Sequence, residues 1–247
     1  MSFIEEHLDG LKPRIPDGRS FEETAAEGFL YPWNHDNADM DMMLQALRIL
    51  QPKVVMELGT FEAWGTLKMA RCLNWFPSKS FLYTFDAGHS PANSLGGSDV
   101  YGIPEQFEEL PLVDWKNFPK NHKAYQGWSS WGKVISARNK RLKEMSRLPN
   151  VEVRFVEGIT YDTLPKVMPE IGVWDFCFQD TLHVTRHIIR EWKLYREFTK
   201  AGSLVVFDNI ATHENLDFVD WFKENEPNWI YKRTEVGDGQ LWAERVK

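Results

Sequence analysis

The chain has 247 residues, 43% hydrophobic and 26% charged, which is enough for one α/β domain with a well-buried core. Its formal net charge of −7 disfavours a nucleic-acid partner, and no apolar run approaches the roughly 18 residues that a membrane span requires. Two cysteines, Cys72 and Cys177, lie in apolar surroundings and read as buried thiols, which excludes a disulfide framework.

The N-terminal MSFIEEHLDG is charged and carries no signal-type apolar run, so a cytoplasmic protein is expected. Residues 1–38 are acidic and punctuated by Pro and Gly. Met43, Leu44, Leu47 and Leu50 share one face and predict a helix over 40–50, stopped by Pro52, so that 1–50 forms a helical cap segment. A strand over 54–58 runs through Glu57 into Gly59, and a helix follows over 65–75. The second strand, 80–85, ends in Asp86. Residues 87–123 are rich in Gly and Pro and look irregular. A helix over 129–148 points Trp131, Val134, Leu142 and Met145 at the core. Its Lys133, Arg138, Lys140, Arg141, Lys143 and Arg147 are expected on a solvated face. Strands follow over 151–157 and over 174–179, the latter ending in Asp180. The helix over 184–198 turns Ile188, Ile189, Trp192 and Tyr195 inward and stops at Gly202. A strand over 203–207 ends in Asp208-Asn209. A helix over 215–224 and strands over 229–236 and 240–245 close the chain, with Gly237-Asp238-Gly239 as a hairpin turn. Strands separated by helices imply a doubly wound, mostly parallel sheet in a single domain, 1–247.

The segment VVMELGTFEAWGTLKMARCL is strand, tight turn and helix. Gly59 leaves room for a ligand to approach the backbone, in the crevice where open α/β sheets bind nucleotide-like cofactors. The turn is not GxGxxG: Phe61 and Glu62 follow Thr60, and the next glycine is Gly65. That disfavours a pyrophosphate cradle and a nicotinamide-dependent oxidoreductase. S-adenosylmethionine (SAM), which has no phosphates, fits better. Four strands end in polar or acidic residues, Glu57, Asp86, Asp180 and Asp208-Asn209, all on the edge where ligands bind. Asp86 has the spacing of a ribose-binding acid, or of a turn residue in the Asp-Ala-Gly loop. Asp180, Asp208 and Asn209 form an all-oxygen donor set suited to a hard divalent cation, magnesium above all, although an Asx turn and a helix N-cap use the same residue types. His183, three residues past Asp180, has the chemistry of a general base near neutral pH, or of a helix-start residue beside a carboxylate. His183 and His187 are also spaced as on a zinc helix, but no third ligand is near.

Residues 57–73 resemble, without gaps, the cofactor motif of the catechol O-methyltransferase group of class I SAM-dependent methyltransferases. The match includes the Glu-Leu-Gly opening and Met69-Ala70-Arg71. The segment VEVRFVEGITYDTLPKV is similar to the next block of that family, with Gly158 matched and Thr160 and Tyr161 in positions that flank adenine. Tyr161 departs from the glutamine common there. WDFCFQD and LVVFDN resemble the two metal strands. The resemblance implies a seven-stranded Rossmann-like sheet with an antiparallel C-terminal hairpin. It implies a cofactor site of Glu57, Gly59, Thr60, Phe61, Gly65, Asp86, Gly158, Thr160, Tyr161 and Asp180, a cation on Asp180, Asp208 and Asn209, and His183 as base. The implied reaction is methyl transfer from SAM to a hydroxyl of a small molecule, assisted by the cation. The long middle segment is similar to the expanded loops of natural-product O-methyltransferases, many of which have Asp-Asp where this chain has Asp208-Asn209. Residues 87–131 are expected to form a lid and acceptor pocket, or an interface in a homo-oligomer. A tRNA-modifying methyltransferase of the same fold is the main rival and is disfavoured by the charge. A non-catalytic SAM-binding scaffold is disfavoured by the metal and base positions.

Overall fold

Five strands of four to seven residues run parallel through the centre of the molecule, and their sequences explain why. They are β1 (Val54–Leu58), β2 (Ser80–Asp86), β3 (Val151–Glu157), β4 (Phe176–Gln179) and β5 (Leu204–Phe207). Near-continuous apolar runs such as FCFQ and LVVF suit strands covered on both faces. The computed structural model describes residues 2–11, 36–86, 131–181, 185–211, 216–235 and 239–247. Within them the sheet has seven strands in the order β3-β2-β1-β4-β5-β7-β6. The last two, β6 (Trp229–Thr234) and β7 (Gln240–Arg245), pair antiparallel, and β7 also runs antiparallel to β5. This is the expected doubly wound sheet with an antiparallel C-terminal pair.

Successive strand residues face opposite layers. Val55, Leu82, Phe176, Phe178, Leu204, Val206 and Trp242 pack on one side. There they meet α1 (Phe3–His7), α2 (Asp36–Leu50), α3 (Trp64–Leu73) and Met145 of α4 (Trp131–Met145). Met56, Leu58, Tyr83, Phe85, Cys177, Val205 and Phe207 pack on the other. Their partners are α5 (Thr160–Ile171), α6 (Thr185–Tyr195) and α7 (Leu216–Asn225). Cys72 and Cys177 are buried free thiols, as expected. No helix among the described residues is long and apolar enough to cross a membrane.

The strand order reverses beside β1, which pairs with both β2 and β4. In register, Leu58 stands between Phe85 and Gln179, and Gln179 pairs with Phe207. Glu57, Asp86, Asp180 and Asp208 therefore gather at one edge of the sheet.

Several expectations are corrected. Helix α5 is absent from the sequence reading, and Pro165 and Pro169 lie inside it. Burial decides the matter: Leu164, Met168 and Ile171 follow helical spacing and pack against β1 and β2. Helix α1 is also additional. A capping box between Ser2 and Glu5 starts it, and the Ile4 N–H donates to Glu244 of β7 at 3.0 Å. Arg138 is not on a solvated face: it is buried in the stripe of Val134 and Met145. On α6 the inner face carries His187 and Glu191 in addition to Ile188, Trp192 and Tyr195, while Ile189 is half-buried. The expected lid up to residue 130, His183 and the Gly237-Asp238 turn lie outside the described residues.

Candidate active site

The β1–β2 side of the crevice is built on buried carboxylates. Glu57 is 2% exposed, on the face of β1 that α3 covers. It accepts from the Thr66 and Thr84 hydroxyls, each at 2.5 Å, and Thr84 also meets the Thr60 hydroxyl at 2.5 Å. Burial raises its carboxyl from an ordinary 4.5 to about 7, against the two hydroxyl bonds, with the nearby Asp86 pushing the same way as burial. Gly65 leaves space for this carboxylate, since a Cβ there would stand 3.1 Å from Glu57 Oε1.

Gly59 is required by the protein itself. Its φ is +102°, and an added Cβ would lie 1.8 Å from the Asp180 carbonyl oxygen. The glycine expected to admit a ligand thus lets the β1 loop rest on the end of β4. The turn continues through Phe61 (φ +46°) and Ala63 (φ +61°), both left-handed, before α3 begins. Backbone strain of this kind concentrates at binding sites.

Asp86 is 6% exposed and holds this turn in place. One oxygen accepts from the Phe61 N–H at 2.7 Å, and the other accepts from Arg138 Nη1 at 3.2 Å. The Arg138 guanidinium lies 4.6 Å from the Phe155 ring centre, and its Nε has no hydrogen-bond partner among the described residues. Arg141 reaches the same turn, donating to the Glu62 carbonyl at 2.5 Å while stacking on Trp64. Helix α4 therefore clamps the turn with two arginines.

The β3–β4 side is different. Gly158 donates its N–H to the Asp86 carbonyl at 2.9 Å, so residues 158–160 flank Asp86 directly. Thr160 donates to Glu191 of α6 at 2.5 Å, Thr181 donates to Glu191 at 2.5 Å, and Gln179 Nε2 donates to it at 2.8 Å. Tyr195 in turn donates its hydroxyl to Gln179 Oε1 at 2.5 Å. Glu191 is 4% exposed, and burial pushes its carboxyl upward against those three bonds. Tyr161 bonds through its hydroxyl to His187 Nδ1, with Arg190 4.0 Å from its ring centre. Burial, aided by the charges of Arg186 and Arg190, lowers His187 to about 4, so the ring is neutral near pH 7.

Asp180 and Asp208 end adjacent strands: the Asp208 N–H donates to the Gln179 carbonyl at 3.0 Å. Asp208 also accepts from Gln240 Nε2 of β7 at 3.0 Å. Asn209 takes φ +56°, a conformation asparagine tolerates better than most residues. Two carboxylates and an amide at neighbouring strand ends match a hard cation in donor chemistry. Among the described residues no group of three His, Cys, Asp or Glu side chains forms a metal cluster, so within them an ion here would rest on the two carboxylates and the Asn209 amide.

The structure thus gathers Glu57, Gly59, Thr60, Phe61, Gly65, Asp86, Gly158, Thr160, Tyr161, Asp180, Asp208 and Asn209 at one edge of the sheet. Sequence reasoning missed Arg138 and Glu191. The signal was present: each is a charged residue on the inward stripe of its helix, Arg138 between Val134 and Met145, Glu191 between Ile188 and Tyr195.

The same architecture occurs in solved enzymes. The SAM complex of TomG, an O-methyltransferase of Streptomyces achromogenes involved in tomaymycin synthesis, superposes with a TM-score of 0.55 at 17% identity, covering 100% of this chain and 97% of that one. The SAH-bound methyltransferase PaMTH1 of Podospora anserina gives 0.56 at 14% identity, covering 99% and 94%. The Bacillus cereus O-methyltransferase in complex with SAH gives 0.52 at 16% identity, covering 99% and 97%. The fold is that of the O-methyltransferases. No family description and no curated protein matches the sequence.

Proposed function

We propose that the protein is a SAM-dependent O-methyltransferase acting on a hydroxyl of a small molecule. The observation that carries this reading is the convergence of Glu57, Asp86, Asp180 and Asp208-Asn209 on the carboxyl edge at the strand-order reversal, in a fold shared with SAM- and SAH-bound methyltransferases. Asp86 is the acid for the ribose hydroxyls, and its bonds to Phe61 and Arg138 fix its orientation at the carboxyl edge. Glu57 lies beneath the turn at the donor end of the crevice, where a buried carboxylate favours the ammonium of an amino-acid moiety. Asp180, Asp208 and Asn209 are the residues that would hold a divalent cation, magnesium being the best match. Such an ion supplies Lewis acidity that lowers the acceptor hydroxyl's pKa. His183 is the residue proposed to receive the acceptor proton. A hydroxyl on a natural-product scaffold is the proposed acceptor, supported by the long segment 87–131, and the net charge of −7 argues against a polyanionic one.

Calorimetric titration with SAH and with NAD tests the reading. Micromolar SAH binding, about −8 kcal/mol, is expected. Binding of NAD without SAH would refute it. Unchanged turnover in excess EDTA would remove the cation from the mechanism while leaving the methyl donor in place.

A further inference from the structure

A groove runs between α2 and α3. Leu44 and Arg48 of α2 line it together with Lys68, Arg71 and Cys72 of α3 and with Trp75 beyond the helix end, around a cavity of about 200 Å³. Helical spacing explains this lining: Leu44 and Arg48 are one turn apart, and Lys68, Arg71 and Cys72 follow as i, i+3 and i+4. The two walls are fixed to each other, because the Cys72 thiol donates to the Leu44 carbonyl at 3.6 Å. Trp75 is held as well. Its N–H donates to the Cys72 carbonyl at 3.2 Å, and the next residue, Phe76, turns into the core while Trp75 stands out, 85% exposed. Among the described residues no other large apolar side chain is as exposed. The charge of the groove is opposite to that of the chain: its lining includes Arg48, Lys68 and Arg71 and no acid, in a protein of net charge −7. Arg71 also pairs with Glu144 at 2.5 Å, with both side chains about half exposed. An exposed pair of this kind contributes about 1 kcal/mol at most and yields readily to an incoming carboxylate.

We propose that this groove is a docking site for an acidic segment of another protein, with Trp75 as the apolar anchor and Arg48, Lys68 and Arg71 facing the segment's carboxylates. Charge complementarity selects the partner, and tryptophan and arginine are the side chains that most often dominate binding at protein interfaces. The cavity is smaller than the roughly 300–1,000 Å³ of a small-molecule site, and Trp75 projects from it instead of closing over it. A second copy docked through the same face would set the three cations against themselves. A nucleic acid or an anionic bilayer extends its charge far beyond the groove, where the rest of a chain of net charge −7 repels it. A short acidic segment confines its charge to the groove. Docking there leaves the crevice open: α3 starts at the β1 turn and ends ten residues later, about 15 Å away. A bound partner would therefore tether the protein without covering its strand-end carboxylates.

The test is fluorescence anisotropy of a labelled amphipathic peptide of glutamate and leucine, titrated with the full chain, with its glutamine–leucine counterpart as the uncharged control. The glutamate peptide is expected to bind in the micromolar range, at least tenfold more tightly than the control, and to weaken as salt rises. Trp75→Ala and Arg48→Glu should each weaken it at least tenfold and leave the melting temperature unchanged, since both side chains are exposed. Trp75→Ala decides the matter if Arg48→Glu does not fold. Equal affinity for the two peptides, an affinity that a folded variant leaves unchanged, or no binding at millimolar glutamate peptide overturns the proposal. Preferential binding of phosphatidylserine vesicles or of a single-stranded RNA overturns it in favour of a membrane or a nucleic acid. Dimerisation of the protein alone that Trp75→Ala abolishes overturns it in favour of a second copy.

Discussion

Asp86 and Glu191 are both buried carboxylates at the same edge of the sheet, solvated in opposite ways. Asp86 faces a buried cation, Arg138, and a backbone N–H. Glu191 faces two hydroxyls and an amide, all neutral. An ion pair in the interior concentrates its energy in one contact, so removing one partner strands a charge. A carboxylate held by three neutral donors spreads that energy, and the loss of one donor leaves two. The ion-paired side should therefore be brittle, and the hydroxyl-lined side tolerant and better suited to tuning by substitution.

The sharpest way to break this contrast is to truncate each side by one partner. Arg138→Met should cost about 3–5 kcal/mol of stability by leaving Asp86 buried without its cation. Thr181→Val should cost about 1.5–3 kcal/mol, the loss of one hydrogen bond to a charged group. Urea denaturation of both variants measures the difference, and equal costs would mean that the two carboxylates are solvated alike.

Gly59→Ala comes next. The added Cβ meets the Asp180 carbonyl at 1.8 Å, and the backbone is held at φ +102°. A loss of about 3 kcal/mol is expected from strain and displacement together. An unchanged denaturation midpoint would show that the turn relaxes freely away from β4.

The smallest effect separates the two sides by pH. Glu57, raised to about 7, makes the native state favour the proton. Its stabilising contribution is complete below pH 4.5 and is lost as pH rises to about 7. His187, lowered to about 4, works in the other direction. Its contribution is complete above pH 6.5 and is lost as pH falls to about 4. Each shift corresponds to about 3 kcal/mol at most. Between pH 4.5 and 6.5 they oppose each other, so the wild-type profile should be shallow there. Glu57→Gln should become less stable on acidification across that window, and His187→Asn more stable. Melting temperatures of the three proteins across pH 4.5–7 check the signs, and parallel profiles would show that neither group titrates in the native state as its burial implies.

The sequence announced the strand-end carboxylates because their position is local. An apolar run that stops at an acid, as at FLYTFD or FCFQD, can be read without knowing what packs above it. What the acids touch was not legible. Arg138 and Glu191 lie 52 residues beyond Asp86 and 10 beyond Thr181 respectively. Each reaches the site only because its helix docks in one particular rotation. A charged residue on an apolar stripe looks like a blemish in the pattern until the sheet supplies its partner. Helix α5 shows the converse: two prolines interrupt its sequence, yet tertiary packing rewards its inward stripe of Leu164, Met168 and Ile171.

The Gly59 contact has a dimensional consequence. The Asp180 N–H is latched to the Leu58 carbonyl at 2.8 Å, the Gly59 N–H is latched to the Phe85 carbonyl at 2.9 Å, and between them nothing but a hydrogen separates Gly59 from the Asp180 oxygen. The spacing between the two halves of the crevice is thus gauged by main-chain atoms alone. Side chains rattle among rotamers; a stack of peptide groups in contact does not. For the proposed transfer of a methyl group to an oxygen, such a fixed gap would work as a machinist's spacer, keeping its tolerance whichever acceptor is bound.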